Sequence, residues 1–232
     1  MNTSEVIKLL NLEADPVRKK ASKTMFPTSM EYLGVRNPNM KSLIKDWWVD
    51  LKTLQPEELI LFAKKLVKTK IFECNYVAFE LLWKNKQALN LLSLNDIETL
   101  GENMDNWATT DAFSVTISGW AWRNNQISDE NVLGWLNSDN LWWRRAAIVS
   151  TVGMNLKSRG GTGDTKRTVM ICEKVVNDRE DMIVKALSWA LRELSKSDKA
   201  AVENFMKKYD SHLAGRVQRE VYTKLNTGRK NG

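Results

Sequence analysis

The sequence predicts an all-α protein whose antiparallel helix pairs stack into a right-handed superhelix. Three observations carry that expectation. Apolar residues return with a 3.6-residue rhythm along nearly the whole chain. The four prolines and eleven glycines fall mostly at the edges of those rhythmic stretches rather than in β-turns. Segments that combine an indole with a charged side chain recur roughly every 40 residues, the period of stacked helix pairs.

A first helix is expected at 3–11. Pro16, Pro38 and Pro56 stand where a first helical turn accepts proline, and they open helices at 15–24, 38–51 and 56–68. In the last of these Leu59, Leu61, Phe62, Leu66 and Val67 keep the helical period while Lys64, Lys65 and Lys68 fall outside it, an amphipathic pattern. The rhythm continues through 71–84, 86–91 and 94–103. At 109–123 two tendencies compete. Val115-Thr116-Ile117-Ser118-Gly119-Trp120 alternates and is rich in β-branched residues, as a strand would be. No partner strand suggests itself and both neighbours are helical, so a helix is expected there too. Further helices are expected at 129–137, 140–156, 164–177, 179–195, 198–208 and 211–226. Paired antiparallel, they make about six repeats of HEAT type, whose concave face is a ready binding groove. One elongated domain is expected over 1–226, with a basic tail at 227–232.

With 232 residues, 43% hydrophobic and 27% charged, the chain has the composition of an ordinary soluble protein with a substantial core. No apolar run approaches the ~20 residues of a membrane span. The start, Met1-Asn2-Thr3-Ser4-Glu5, lacks the basic-then-apolar order of a secretory signal. A cytoplasmic monomer without membrane contact is expected. Cys74 and Cys172 are far apart and His212 is the only histidine, so a zinc site, a Cys–His pair and a Ser-His-Asp triad are all poorly supplied. The cysteines read as buried free thiols, and no metal or cofactor is expected.

The net charge is +7, and its distribution is informative. Residues 1–70 carry 13 Lys/Arg against 8 Asp/Glu, residues 71–140 carry 3 against 10, and residues 141–232 carry 19 against 10. Two basic thirds flanking an acidic middle suit a partner whose phosphate backbone is gripped at both ends and which presents something cationic at the centre. The glycine-rich Lys157-Ser158-Arg159-Gly160-Gly161-Thr162-Gly163-Asp164 lacks the spacing of a phosphate loop and no strand precedes it. It reads as a flexible loop able to touch a phosphate. Arg216, Arg219, Lys224, Arg229 and Lys230 form a second basic margin.

Most of the ten tryptophans are expected between helices in the core: Trp47, Trp48, Trp83, Trp120, Trp122, Trp135 and also Trp142. Others stand apart. Trp107-Ala108-Thr109-Thr110-Asp111, Trp142-Trp143-Arg144-Arg145-Ala146-Ala147 and the run from Lys185 through Trp189 and Arg192 to Glu193 each set an indole three or four residues from a charge. That spacing puts both on one helical face, and the three segments are expected to share a surface. Taken singly, each has a plainer explanation. Asp111 could be a first-turn acid favoured by the helix dipole, the indoles could be core, and Arg145 and Arg192 could be solvated or paired charges.

In order and spacing, Asn106-Trp107-x-x-x-Asp111, Ser138-Asp139-Asn140-x-Trp142-x-x-Arg145-Ala146-Ala147-Ile148 and Lys185-Ala186-x-x-Trp189-x-Leu191-Arg192-Glu193 resemble the AlkD-type DNA alkylation repair enzymes. Tyr32-Leu33-Gly34-Val35-Arg36-Asn37-Pro38-x-x-Lys41 resembles that family's aromatic-Leu-Gly-Ile-x-x-Pro signature. The likeness runs from about residue 30 to 210. It implies HEAT-like-repeat DNA glycosylases that remove positively charged alkylpurines such as 3-methyladenine and 7-methylguanine from duplex DNA. By the same resemblance Trp107 and Trp189 contact the deoxyribose of the lesion, Asp111 is the catalytic carboxylate and Arg145 holds the adjacent backbone. Arg36, Asn37, Lys41 and Arg192 are then candidate DNA contacts. The chain departs from the family in two places: Met25 stands where members often carry a tyrosine, and the 158–164 stretch looks like an insertion. Two other functions fit the same composition, a non-catalytic relative that binds branched or damaged DNA and a HEAT scaffold for protein partners.

Overall fold

The computed structural model describes residues 1–229, with every side chain among them except that of Lys23. Its regular elements among the described residues are helices. The helices are α1 Thr3–Leu12, α2 Pro16–Met25, α3 Asn37–Leu51, α4 Pro56–Val67, α5 Phe72–Lys84, α6 Lys86–Leu91, α7 Leu94–Gly101 and α8 Trp107–Phe113. They continue with α9 Gly119–Arg123, α10 Asp129–Leu136, α11 Leu141–Asn155, α12 Thr165–Lys174, α13 Asp181–Leu194, α14 Lys199–Tyr209 and α15 Gly215–Thr227. Extended pairing among the described residues is confined to one isolated bridge between Glu31 and Ile71.

Every expected helix is present, and the boundaries follow local chemistry. Asn2, Asp15, Asn85, Ser93, Asn106, Ser128, Asn140, Asp164 and Asp198 each accept a backbone N–H at a helix start, satisfying donors that the helix itself cannot. The expected prolines lie in the first turns of α2, α3 and α4. The contested stretch is helical, as expected, but not uniformly so. Between α8 and α9 the chain widens into a π-helical turn, Ser114–Ser118, without leaving the helix. A wide turn accommodates Val115-Thr116-Ile117 while keeping the backbone groups paired inside the protein, which a lone strand could not do.

Two compact units make up the chain, one spanning Met1–Ile117 and the other beginning at Ser118. In the first, α5 is the central helix and packs against α3, α4, α6 and α8. Cys74, Val77, Ala78, Leu81 and Leu82 on α5 are fully buried. In the second, α11 is central and packs against α9, α10, α12 and α13, and every residue from Arg145 to Asn155 is buried. Both cysteines are free and buried, as expected. Of the basic tail expected at 227–232, Thr227 ends α15, Gly228 follows in a left-handed conformation, and residues 230–232 lie outside the described residues.

The glycine-rich loop is pinned rather than flexible. Gly161 N–H donates to the Leu156 carbonyl at 3.0 Å and Asp164 N–H to Asn155 Oδ1 at 2.9 Å, and Asp164 then caps α12. At Gly161 a Cβ would lie 2.6 Å from both Leu156 N and the Met154 carbonyl, so close backbone packing demands glycine there. The glycines serve a tight return from α11 to α12, not a phosphate cradle.

Tryptophan burial divides unevenly. Trp47, Trp122 and Trp135 are core. Trp48, Trp83, Trp120 and Trp142, expected in the core, are only half-buried. Cations cover three of them: Lys84 lies over Trp48, Lys86 over Trp83 and Arg123 over Trp120. A ring at the edge of a helix layer hides one face in the protein and offers the other to a cation.

Candidate functional site

The start of α8 is assembled by a polar network. Asn106 caps the helix by accepting Thr109 N–H at 2.9 Å, and its amide donates to Asp105 Oδ1, Thr28 Oγ1 and Thr109 Oγ1. Asp105 in turn accepts from the Thr28 hydroxyl and the Ser29 N–H. Partial burial alone would raise the Asp105 carboxyl, but these bonds outweigh it and hold it below the usual range. The network straps residues 28 and 29 against the first turn of α8. Met25, just before the strap, accepts the Trp107 indole N–H at 3.3 Å, and Phe26 meets the indole edge-on at 6.0 Å. Phe26 stacks on Phe72 at 5.2 Å, and Tyr32 stands edge-on to both. The Trp107 ring is thus fixed by its N–H and one edge while remaining 36% exposed.

Asp111 follows Trp107 by four residues on the same helix and is half-buried. Because Asn106 starts the helix at Trp107, two residues before the expected boundary, Asp111 is not in the first turn, which contains no acid. The plain explanation through the helix dipole therefore fails for it, since that effect fades beyond the first turn.

The Tyr32-Leu33-Gly34-Val35 segment is organised by a residue that the sequence pattern concealed. Glu73, on α5, is fully buried and accepts the backbone N–H groups of Leu33 at 3.0 Å, Gly34 at 2.8 Å and Val35 at 3.2 Å. Burial pushes its carboxyl above the usual glutamate range even though the three amides pull the other way. Gly34 has φ +89°, and a Cβ there would strike the Asp15 carbonyl and the Lys19 amide, so glycine is required at this position by geometry. The turn delivers the chain into α3. Arg36 is exposed but already paired with Asp15, Nε at 3.3 Å and Nη2 at 3.0 Å. Asn37 and Lys41 are exposed on the first turns of α3.

In the second unit Arg145 is only 5% exposed, and its Nη1 donates to the Met182 carbonyl in the first turn of α13. It joins α11 to α13. Trp189 is half-buried on α13. One turn on, the Arg192 side chain is 12% exposed; its Nη2 lies 3.3 Å from Glu220 Oε2 and its Nε donates to Ser188 Oγ at 3.2 Å. Desolvation lowers its pKa, and the Glu220 charge opposes that shift. Glu220 also accepts the Ser188 hydroxyl at 2.7 Å and lies 3.5 Å from Arg216 Nε. Arg192 is thus tied to α15. Among the described residues no three His, Cys, Asp or Glu side chains cluster so as to hold a metal ion.

The expected residues are therefore gathered in two groups: Trp107, Asp111, Arg36, Asn37 and Lys41 in the first unit, and Arg145, Trp189 and Arg192 in the second. The residues that position them, Glu73, Asp105 and Glu220, were missed. For Glu73 a signal existed in retrospect, an acid set directly against the apolar residues of α5.

An all-helical protein with an acid and a partly exposed indole on one helix face, and cationic side chains on others, is what fold and site together define. The chain belongs to the DNA alkylation repair enzyme family, whose model matches residues 6–225. A solved structure described as a predicted DNA alkylation repair enzyme from Enterococcus faecalis has the same fold, with a TM-score of 0.74 over 93% of this chain and 98% of that one at 20% identity. No curated protein matches the sequence. No helix among the described residues is long and apolar enough to cross a membrane.

Proposed function

We propose that the protein is a monofunctional DNA glycosylase, a cytoplasmic monomer with one functional domain over 1–226, that hydrolyses the N-glycosidic bond of N3- and N7-alkylated purines in duplex DNA without flipping the base. The observation that carries this reading is the pairing of Asp111 with the partly exposed Trp107 on one face of α8, past the turn where an acid has a purely helical reason to be. The match over 6–225 supports treating the chain as one functional domain.

The chemistry follows from the substrate. A purine alkylated at N3 or N7 is already cationic and leaves as a neutral base, taking the electron pair of the C1′–N bond, so no general acid is needed. Positive charge moves to the sugar in an oxocarbenium-like transition state. A carboxylate about 4 Å from that charge, at an effective dielectric near 20, contributes on the order of 4 kcal/mol, roughly a thousandfold in rate. Asp111 supplies it, and accepts a proton from the water that adds to C1′. The π faces of Trp107 and, by the family resemblance, Trp189 add about 0.5–2 kcal/mol each. Cations belong outside that cage. By the family resemblance Arg145, only 5% exposed in the unbound chain, grips a backbone phosphate, and Arg36, Asn37, Lys41 and Arg192 are further contacts, the arginines among these exchanging their Asp15 and Glu220 partners for phosphate. The motifs contain no lysine placed for a Schiff base, hence no lyase step.

The test is base release from methylated duplex DNA by the wild type, Asp111→Asn and Arg145→Ala. Asp111→Asn is expected to bind DNA as before and lose most excision. Arg145→Ala is expected to weaken both, because it also breaks the bond to Met182. Undiminished excision by Asp111→Asn would remove Asp111 from the mechanism.

A further inference from the structure

We infer that one flank of α3, together with Lys84 of α5, forms a phosphate rail that holds the sugar–phosphate backbone of duplex DNA whether or not the DNA is damaged. Lys41, Lys45, Trp48 and Lys52 follow the i, i+4, i+7, i+11 spacing that keeps side chains on one helical face. The three lysines are exposed. Lys84 is exposed as well, its ammonium 5.7 Å from the centre of the Trp48 ring, so the half-buried indole holds a fourth cation beside the row. The acids of α3 keep away from this flank. Asp46 and Asp50 lie five and nine residues beyond Lys41, on the other side of the helix, with the buried face of Met40, Ile44, Trp47 and Leu51 completing the circumference.

Pairing separates these lysines from two of the arginines that the family resemblance assigns to DNA. Arg36 is taken up by Asp15 and Arg192 by Glu220. No carboxylate among the described residues lies within ion-pair distance of Lys41, Lys45, Lys52 or Lys84. Unpaired, segregated cations on a rigid helix are what a polyanion recognises, because each phosphate contact releases a condensed counterion. Dimensions fit as well. From Lys41 to Lys52 the helix rises about 16 Å, alongside about five phosphates of one strand at ~3.4 Å of axial rise each. The start of the rail is anchored by Glu73, which fixes the turn leading into α3. The inference rests on the proposed function only in taking duplex DNA as the partner.

The experiment is anisotropy titration of an undamaged duplex of about 20 base pairs over a range of salt concentrations. It uses the wild type, the triple variant Lys45→Gln/Lys52→Gln/Lys84→Gln, the same triple to Arg, and a control triple Lys65→Gln/Lys199→Gln/Lys207→Gln. Each lost phosphate contact removes about 0.9 from the slope of log affinity against log salt. The rail triple to Gln is expected to lose about 2–3 from the slope, with the Arg triple retaining it and the control losing less than about 1. Equal losses in the rail and control triples, or an unchanged slope in the rail triple, would overturn the rail. Base release from methylated duplex is read separately. Excision with an unchanged slope leaves the glycosylase standing without the rail, and a lost slope in a protein that releases no base does the reverse.

Discussion

Glu73 exemplifies how single residues govern this site. Its two oxygens serve three backbone N–H groups in the Leu33–Val35 turn with no bulk water to help. Glu73→Gln preserves shape but turns one acceptor into a donor facing an amide, which leaves a buried donor unsatisfied. A loss of about 1–3 kcal/mol in urea unfolding is expected. The pH dependence has a definite sign. The folded chain binds a proton at Glu73 more readily than the unfolded chain, so stability attributable to this group falls as pH rises from the ordinary glutamate value through the raised one. The Gln variant should lack that fall when unfolding is followed between acid and neutral pH. A variant curve parallel to the wild type would mean that Glu73 is not the titrating group. Asp111 presents the complementary case: its burial is partial, and it stands on α8 four residues from an exposed indole, the placement on which its proposed chemical role rests.

Among the elements, α8 and the α11–α12 return show how local geometry is purchased by packing. The π turn at Ser114–Ser118 keeps a β-branched stretch helical, and buried hydroxyls brace it on both sides: Ser114 donates to the Thr110 carbonyl at 2.7 Å, and Ser118 bonds Ser150 at 2.7 Å. At the return, Gly161 passes so close to Leu156 and Met154 that Gly161→Ala forces backbone to move. Such overpacking costs about 1–3 kcal/mol, and thermal unfolding of the variant measures it. A variant as stable as the wild type would show that the loop yields freely, restoring the expectation of flexibility that its composition suggested.

At the scale of the whole molecule, the buried thiols offer a test of core integrity that is independent of function. Burial pushes the Cys74 thiol up to about 11 and the Cys172 thiol higher still, and nearby glutamates add to both shifts. Thiolate is the reactive form, so neither cysteine is expected to react with a thiol reagent at neutral pH in the native protein, whereas both react in denaturant. Fast native labelling of one thiol would locate a unit that opens. The excess of positive charge acts on the same scale: basic residues concentrate in 1–70 and 141–232, so duplex affinity should fall steeply with salt.

Helices were legible because amphipathic rhythm, N-caps and first-turn prolines are local: each expected helix formed, and most ends were misjudged by only a residue or two. Family membership was legible for a related reason, since the Trp107–Asp111 and Trp189–Arg192 spacings are turns of single helices. What the sequence by itself determined was thus helix placement, the free thiols and the kinship of the chain. Tertiary structure alone decided the rest. It set Glu73 beneath a turn some 40 residues earlier, tied Arg192 to Glu220 from another helix, buried Arg145 against α13, and left Trp48, Trp83 and Trp120 half-covered by cations. The physical reason is one of range. Periodicity and capping are written within a turn or two of helix, whereas desolvation and hydrogen-bond partnership depend on which distant segments the packed core brings together.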